Sequence, residues 1–323
     1  MTALVAAEGP LLADILASTF DIWNEGLTAS AYAKYFAAQC ATPWGRARLR
    51  RWALVESGEL LASAKEYRLD ATLDGRAIRV CGIGAVFTEP RHRGRGHARA
   101  LVEQLLERSA ADGSDLALLF SEIDPVYYER LGFSGIPTFD LDLRVIESNR
   151  RGAPAAPVRS GQDRDFADLA AMNEVRAAPF RFHLNRDRDF IHYALAKKRM
   201  MAGLDASGAR AVQFFVGEEG GIPVAYAVIR VRGSEWTLDE AGDRDPTGAR
   251  VGAILQVLLA RDGAERRPSI TAWLPAGFRP PQVEVASERP SREVMMIRPL
   301  TARGTPATAL SASEVLYWFG DLF

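Results

Sequence analysis

The 323-residue sequence has two cysteines, Cys40 and Cys81, and four histidines. The cysteines are far apart and in no metal-ligand spacing, which excludes a disulfide framework and a structural zinc site and makes a reduced, cytoplasmic setting the expectation. No uncharged apolar run reaches the roughly 18 residues of a membrane span. The opening stretch has no basic residues before its apolar part and carries Glu8 and Asp14, so it reads as an amphipathic helix and not as a signal peptide. Charge of one sign is also missing. Forty Lys and Arg face 41 Asp and Glu, a net charge of -1, so no whole-chain field favours nucleic acid or an anionic membrane. Apolar residues at 48% and charged residues at 25% are those of a globular chain long enough for two cores.

Composition shifts at Glu147–Asp165, where charge, Pro, Gly and Ser replace any hydrophobic period, and again after Leu300. These shifts predict domains at 1–150 and 151–300, and a tail, 301–323, docked through the apolar cluster from Val315 to Phe323. In the first half, helical periodicity runs through Leu11–Trp23 and Ala31–Ala41. Strands follow at Arg51–Val55, Leu60–Ala71 and Ala77–Thr88, the last two joined by an Asp74-Gly75 hairpin turn. Ala98, Leu101, Val102, Leu105, Leu106 and Ala110 form one helical stripe. Leu116–Phe120 reads as a buried parallel strand, followed by a helix at Pro125–Leu131. Phe139–Ile146 is expected to complete this mixed α/β sheet. Gly82 and Gly84 in the third strand signal a bulge or a close backbone approach.

The turn between strand and helix reads Arg91-His92-Arg93-Gly94-Arg95-Gly96-His97-Ala98. Two glycines let the backbone turn sharply, and three arginines beside the free amides of a helix N-terminus make an anion site suited to pyrophosphate. There is no Walker lysine-serine pair, so a nucleotide triphosphatase is not indicated. Downstream lies Tyr127-Tyr128-Glu129-Arg130-Leu131-Gly132-Phe133. Glu122, at a strand end, is a candidate to deprotonate an amine or to position it, or is a solvated carboxylate. Cys81, between Val80 and Gly82, reads as a buried small hydrophobe and not a nucleophile.

The pattern Arg-x-x-Gly-x-Gly, with the strand before it and the tyrosine segment after it, resembles the GNAT superfamily of acyl-CoA-dependent N-acetyltransferases. The resemblance covers nearly all of residues 1–146. It implies a turn that binds the pyrophosphate of acetyl-CoA through Gly94, Arg95, Gly96, His97 and Ala98, with Arg91, Arg93 and Arg99 beside it. It further implies that the backbone of Val86, Phe87 and Thr88 pairs with the pantetheine arm, with Ser121 opposite, and that Tyr128 protonates the departing thiolate. Tyr127 is expected to pack. No metal is implied.

From Val158 the order of elements repeats: helices at Phe166–Ala178 and Asp189–Leu204, strands at Ala211–Glu218, Pro223–Val231 and Trp236–Ala241, a helix at Val251–Ala260 and a strand at Ser269–Leu274. This looks like a second GNAT-like fold whose turn, Asp243 to Arg250, has lost the motif, since aspartates stand in place of arginines. Tandem copies with a degenerate second one resemble the enhanced intracellular survival family of acetyltransferases, without its sterol-carrier-like domain. The match rests on Ser121-Glu122, Tyr128, Arg93–Leu101, Leu184–Asp189 and a final phenylalanine. That last match implies the Phe323 α-carboxylate as a base. The expected activity is acetyl transfer from acetyl-CoA to an amine of a small molecule or peptide by direct attack. The rival class is a non-catalytic acyl-CoA-binding module acting on a protein partner. Homo-oligomer formation is left open.

Overall fold

A computed structural model describes residues 2–146, 157–260 and 267–321. The chain forms two compact units. The first takes in the sequence up to Pro137 together with Arg292–Ala312; the second is Thr138–Ser291 with the segment from Ser313.

In the first unit β1 (Ala3–Ala6), α1 (Gly9–Trp23), α2 (Ala29–Ala41) and α3 (Pro43–Arg48) precede a meander of β2 (Leu49–Glu56), β3 (Glu59–Leu73) and β4 (Arg76–Thr88). Asp74 and Gly75 both have positive φ, +49° and +73°, which is the twist-compatible two-residue turn their side chains favour. Then come α4 (His97–Ala111), β5 (Leu116–Ser121), α5 (Val126–Glu129) and β6 (Ser134–Ile136). The stripe on α4 is buried as its period requires, with Leu101, Val102 and Leu105 at 0% exposure. It packs in one core with Ala62, Ala64, Ile83, Leu119 and Tyr128.

The neighbour of β5 departs from expectation. Phe139–Val145 forms β7, which pairs antiparallel with strands of the second unit. The position beside β5 is filled by Val294–Pro299, which pairs with β5 on one edge and β6 on the other. Burial explains the choice. Met295, Met296 and Ile297 are consecutive and all buried, as a strand covered on both faces demands. In β7, Leu141 and Leu143 alternate with Asp140 and Asp142, which bond to Trp273, Ser287 and Arg289. Such a strand suits a sheet with one apolar face. The chain therefore crosses between units at Pro137, Ser291 and Ala312, and no cut near residue 150 separates them. Most of the expected linker lies outside the described residues, and its described end holds β8 (Val158–Ser160).

The second unit continues with α6 (Phe166–Ala177), β9 (Phe182–Leu184), α7 (Arg188–Leu204), β10 (Arg210–Glu219), β11 (Ile222–Arg232), β12 (Glu235–Asp243), α8 (Ala249–Leu259), β13 (Ser269–Ala272) and β14 (Val283–Pro290). With Val294–Pro299 as β15, the first sheet runs β1-β2-β3-β4-β5-β15-β6 and the second β14-β7-β13-β12-β11-β10-β8. Antiparallel meander, helix and parallel strand recur in the same order in both. The segment after Ser313 starts with β16 (Val315–Leu316), and Trp318 is 1% exposed.

Candidate functional site

Strands β4 and β5 run parallel and in register from Val80 and Leu116 to Ile83 and Leu119, and there the ladder ends. Ser63 of β3 faces Phe87 and Lys65 faces Gly84, so Ala64 opposes two residues, Ala85 and Val86. This bulge falls one position after Gly84, at Ala85, whose φ is +47°. It turns the end of β4 away from β5. The edge of residues 84–88 is thereby left without a β5 partner, and peptide N–H and C=O groups on such an edge can pair with an extended ligand. The Phe87 side chain is buried and its ring meets Trp23 edge-on, so this residue offers backbone and not side chain.

After β4 the chain makes a short turn at Pro90–His92 and passes through Gly94 and Gly96 to α4. Both glycines are left-handed, with φ of +76° and +82°, and a Cβ at either would meet nothing within 4 Å. Space for a bulky group is thus open above the turn. Gly96 caps the helix without a side chain. The N–H groups of His97, Ala98 and Arg99 have no carbonyl one turn behind them and carry the positive end of the helix dipole. A cleft of about 340 Å³ opens here, lined by Thr88, Arg93, Gly94, Gly96, His97, Ala98, Arg99, Tyr127, Arg130 and Leu131. Its wall contains three arginines and no carboxylate. These features fit a pyrophosphate, which needs several N–H donors and positive charge at a turn that a large ligand can reach.

The cations differ from those the motif suggests. Arg91 is turned away, with Nη2 3.1 Å from Glu59 Oε1, an oxygen also 3.0 Å from His92 Nε2. Neither Arg91 nor Arg95 lies on the cleft wall. Arg130, at the end of α5, does, and sequence reasoning missed it; its place in the tyrosine segment was the available signal. Arg93 donates from Nε to Thr88 O at 3.3 Å, and Arg99 donates to Glu103 at 2.9 Å.

Asp124 starts the turn into α5, its carboxylate accepting from Val126 N at 3.0 Å. Tyr127 then packs against the core of the first sheet, as expected, and also lines the cleft. Tyr128 lies one step inward, 8% exposed, its ring edge-on to those of Tyr127 and Phe133. It shares a core with Ile83 and Leu119, the last paired residues of the ladder. Burial pushes its phenol up to about 12, so it holds its proton at neutral pH. Ser121 is buried and donates to Ile123 O at 2.9 Å, while Glu122 is exposed. The Cys81 thiol is fully buried, is hydrogen-bonded by Ser109 at 3.2 Å and is pushed up to about 12 by burial; it is no nucleophile. Phe323 lies outside the described residues.

The corresponding turn of the second unit is filled by its own side chains. Asp243 Oδ2 accepts from Arg250 N at 2.8 Å, and Oδ1 accepts from Asp245 N at 2.8 Å and from Arg250 Nη1 at 3.0 Å. Gly248 is left-handed like Gly96, with φ of +74°, but the Phe278 ring stands 2.6 Å from where its Cβ would be.

Residues 16–136 match the family model of the acetyltransferase (GNAT) domain. Solved structures with a similar fold include a GCN5-related N-acetyltransferase from Kribbella flavida, at 19% identity and a TM-score of 0.68 over 93% of this chain and 71% of that one. A probable N-acyltransferase from Enterococcus faecalis has 14% identity and a TM-score of 0.68 over 93% and 72%. Eis1 from Mycobacterium abscessus has 18% identity and a TM-score of 0.57 over 95% and 76%. No curated protein matches the sequence. The splayed strands, the open glycine turn and the family match agree: residues 16–136 are an acetyltransferase domain of the GNAT family, whose members transfer acyl groups from acyl-CoA.

Proposed function

We propose that the chain transfers acetyl from acetyl-CoA to an amine of a small molecule or peptide, and that only its first copy of the fold binds acetyl-CoA. The observation that carries this reading is the open turn at Gly94 and Gly96 beside the unpaired end of β4. The N–H groups from Gly94 to Ala98 hold the pyrophosphate, with Arg93, Arg99 and Arg130 supplying charge. The backbone of Val86, Phe87 and Thr88 aligns the pantetheine arm. Acetyl-CoA supplies a thioester, which the acceptor amine attacks directly. Tyr128 holds the proton destined for the sulfur. Burial holds this phenol at about 12, so it carries its proton at neutral pH and is available as the donor as thiolate charge develops. The acceptor's own proton leaves to Glu122, to water or to the Phe323 carboxylate. The second copy serves as structure and not as a second cofactor site.

Measuring free thiol released from acetyl-CoA against a panel of amines, thiols and peptides tests this directly. Release that depends on an amine acceptor supports transfer. Binding of acetyl-CoA with no release against any acceptor favours the binding-module alternative.

A further inference from the structure

On the face of the first sheet where α2 packs, two cations stand side by side without a counter-charge. Arg51 of β2 and Lys65 of β3 are directly opposite in the antiparallel pair, a placement that repels. Arg51 is 5% exposed. Its Nη2 donates to the neutral Ser63 hydroxyl at 3.1 Å, while its Nε is buried without a partner. Lys65 is half-buried, its Nζ 5.5 Å from the centroid of the Phe36 ring on α2. The other titratable groups facing the pair are Tyr32, Tyr67 and Cys40, none of them a carboxylate. Among the described residues no carboxylate pairs with either cation. The buried Arg186 of the second unit, by contrast, has both Glu240 and Asp321. Burial, with Arg51 adding to it, pushes the Lys65 amine down to about 7. Burying unpaired charge is costly, and a bound anion offsets that cost.

The pair lies beside the reaction region. Lys65 faces Gly84, the residue before the bulge, and Ser63 faces Phe87. At about 3.3 Å per strand residue, Gly84 and Phe87 are roughly 10 Å apart, within the span of a small acceptor.

We propose that Arg51 and Lys65 form an anion subsite of the acceptor pocket, so that the acceptor is an amine that also carries a carboxylate or phosphate group. This rests on the acetyl-transfer reading above. When the anion is in place it restores full charge to Lys65, and the two side chains hold the acceptor with its amine free.

Two measurements on the full chain test it. In the first, kcat/KM is compared for amines that differ only in bearing a carboxylate or its amide, and a phosphate or its neutral ester. At least one acid is expected to be favoured about 30-fold or more. Lys65→Met should erase that preference and Lys65→Arg should restore it. The second needs no turnover. An amine-reactive reagent labels Lys65, read by peptide mass spectrometry, with inorganic phosphate or a simple dicarboxylate added against sodium chloride of equal ionic strength. At least one of these anions is expected to protect Lys65. No protection by either overturns the subsite. Protection together with equal rates for acid and neutral acceptors overturns its assignment to the acceptor. Protection with no acetyl transfer to any amine leaves the anion site standing and overturns the acetyl-transfer reading on which the acceptor role rests.

Discussion

The two turns at Gly96 and Gly248 share a left-handed glycine at the head of a helix, and they differ in what satisfies that helix. At Gly96 the first N–H groups face an open cleft lined by Arg93, Arg99 and Arg130. At Gly248 the Asp243 carboxylate accepts the Arg250 N–H, and Phe278 closes the approach. A helix N-terminus draws negative charge in either case. In the second copy that charge is built into the chain, and on the function proposed above the first copy receives it from a ligand. On that reading a change of few residues separates a binding site from a structural copy of it.

The largest effect that would break this contrast is expected at Gly96. Gly96→Glu forces a side chain into a left-handed position and places a carboxylate in the phosphate approach. Acetyl-CoA affinity should fall by more than about 100-fold, a loss of about 2.7 kcal/mol, measured by calorimetry. Gly248→Ala should leave that affinity unchanged and lower the melting temperature, because its methyl meets Phe278.

Next in size is Tyr128→Phe, expected to lower kcat by roughly 100-fold with little change in acetyl-CoA affinity, the scale of a lost general acid. Tyr127→Phe should be nearly silent in kcat, and any effect of it should fall on KM for acetyl-CoA. Stopped-assay kinetics at saturating acceptor separates the two tyrosines. Equal kcat for Tyr128→Phe and the parent protein would reject the acid assignment.

A smaller effect distinguishes the arginines. Arg130→Ala should weaken acetyl-CoA by about 3- to 5-fold, on the order of 1 kcal/mol for an exposed charge, and the difference should shrink in high salt. Arg91→Ala, whose partner is Glu59, should change affinity less. Titrations of both variants at two ionic strengths check the order.

A separate expected effect, on stability and not on binding or turnover, is a pH dependence from Lys65. Its folded value of about 7 lies below the ordinary 10.5. Between those values the unfolded chain binds more protons at this site, so its contribution to stability rises from pH 7 to 10.5 and is lost as pH falls through 7. The quantity to measure is the difference in melting temperature between Lys65→Met and the parent protein, which isolates this site from other titrating groups. The parent should lose ground to the variant as pH falls from 10.5 to 7, and the difference should be level below pH 7.

Local features of the fold were legible in the sequence because they rest on local physics. The Asp74-Gly75 hairpin, the α4 stripe and the glycine turn are each fixed by residues within a few positions. Pairing between distant strands is not. Phe139–Val145 and Val294–Pro299 both have strand character, and adjacency in sequence favoured the first beside β5. The deciding fact was that Met295, Met296 and Ile297 had to be buried in succession while Asp140 and Asp142 needed polar partners. The same limit applies to the site. Gly94 and Gly96 were readable from spacing, but the direction of the Arg91 side chain depends on Glu59 at the start of β3, a contact across the sheet. Tyr127 and Tyr128 are neighbours in sequence, and only the course of α5 decides which one lines the cleft. Gly82 and Gly84 located the bulge to within a residue, since the irregularity itself falls on Ala85.

Calorimetric titration of coenzyme A into the full chain tests the contrast between the two copies most directly. One site per chain is expected, lost in Gly96→Glu and retained in Gly248→Ala. Two sites per chain, or one site that survives Gly96→Glu and is lost in Gly248→Ala, would contradict it.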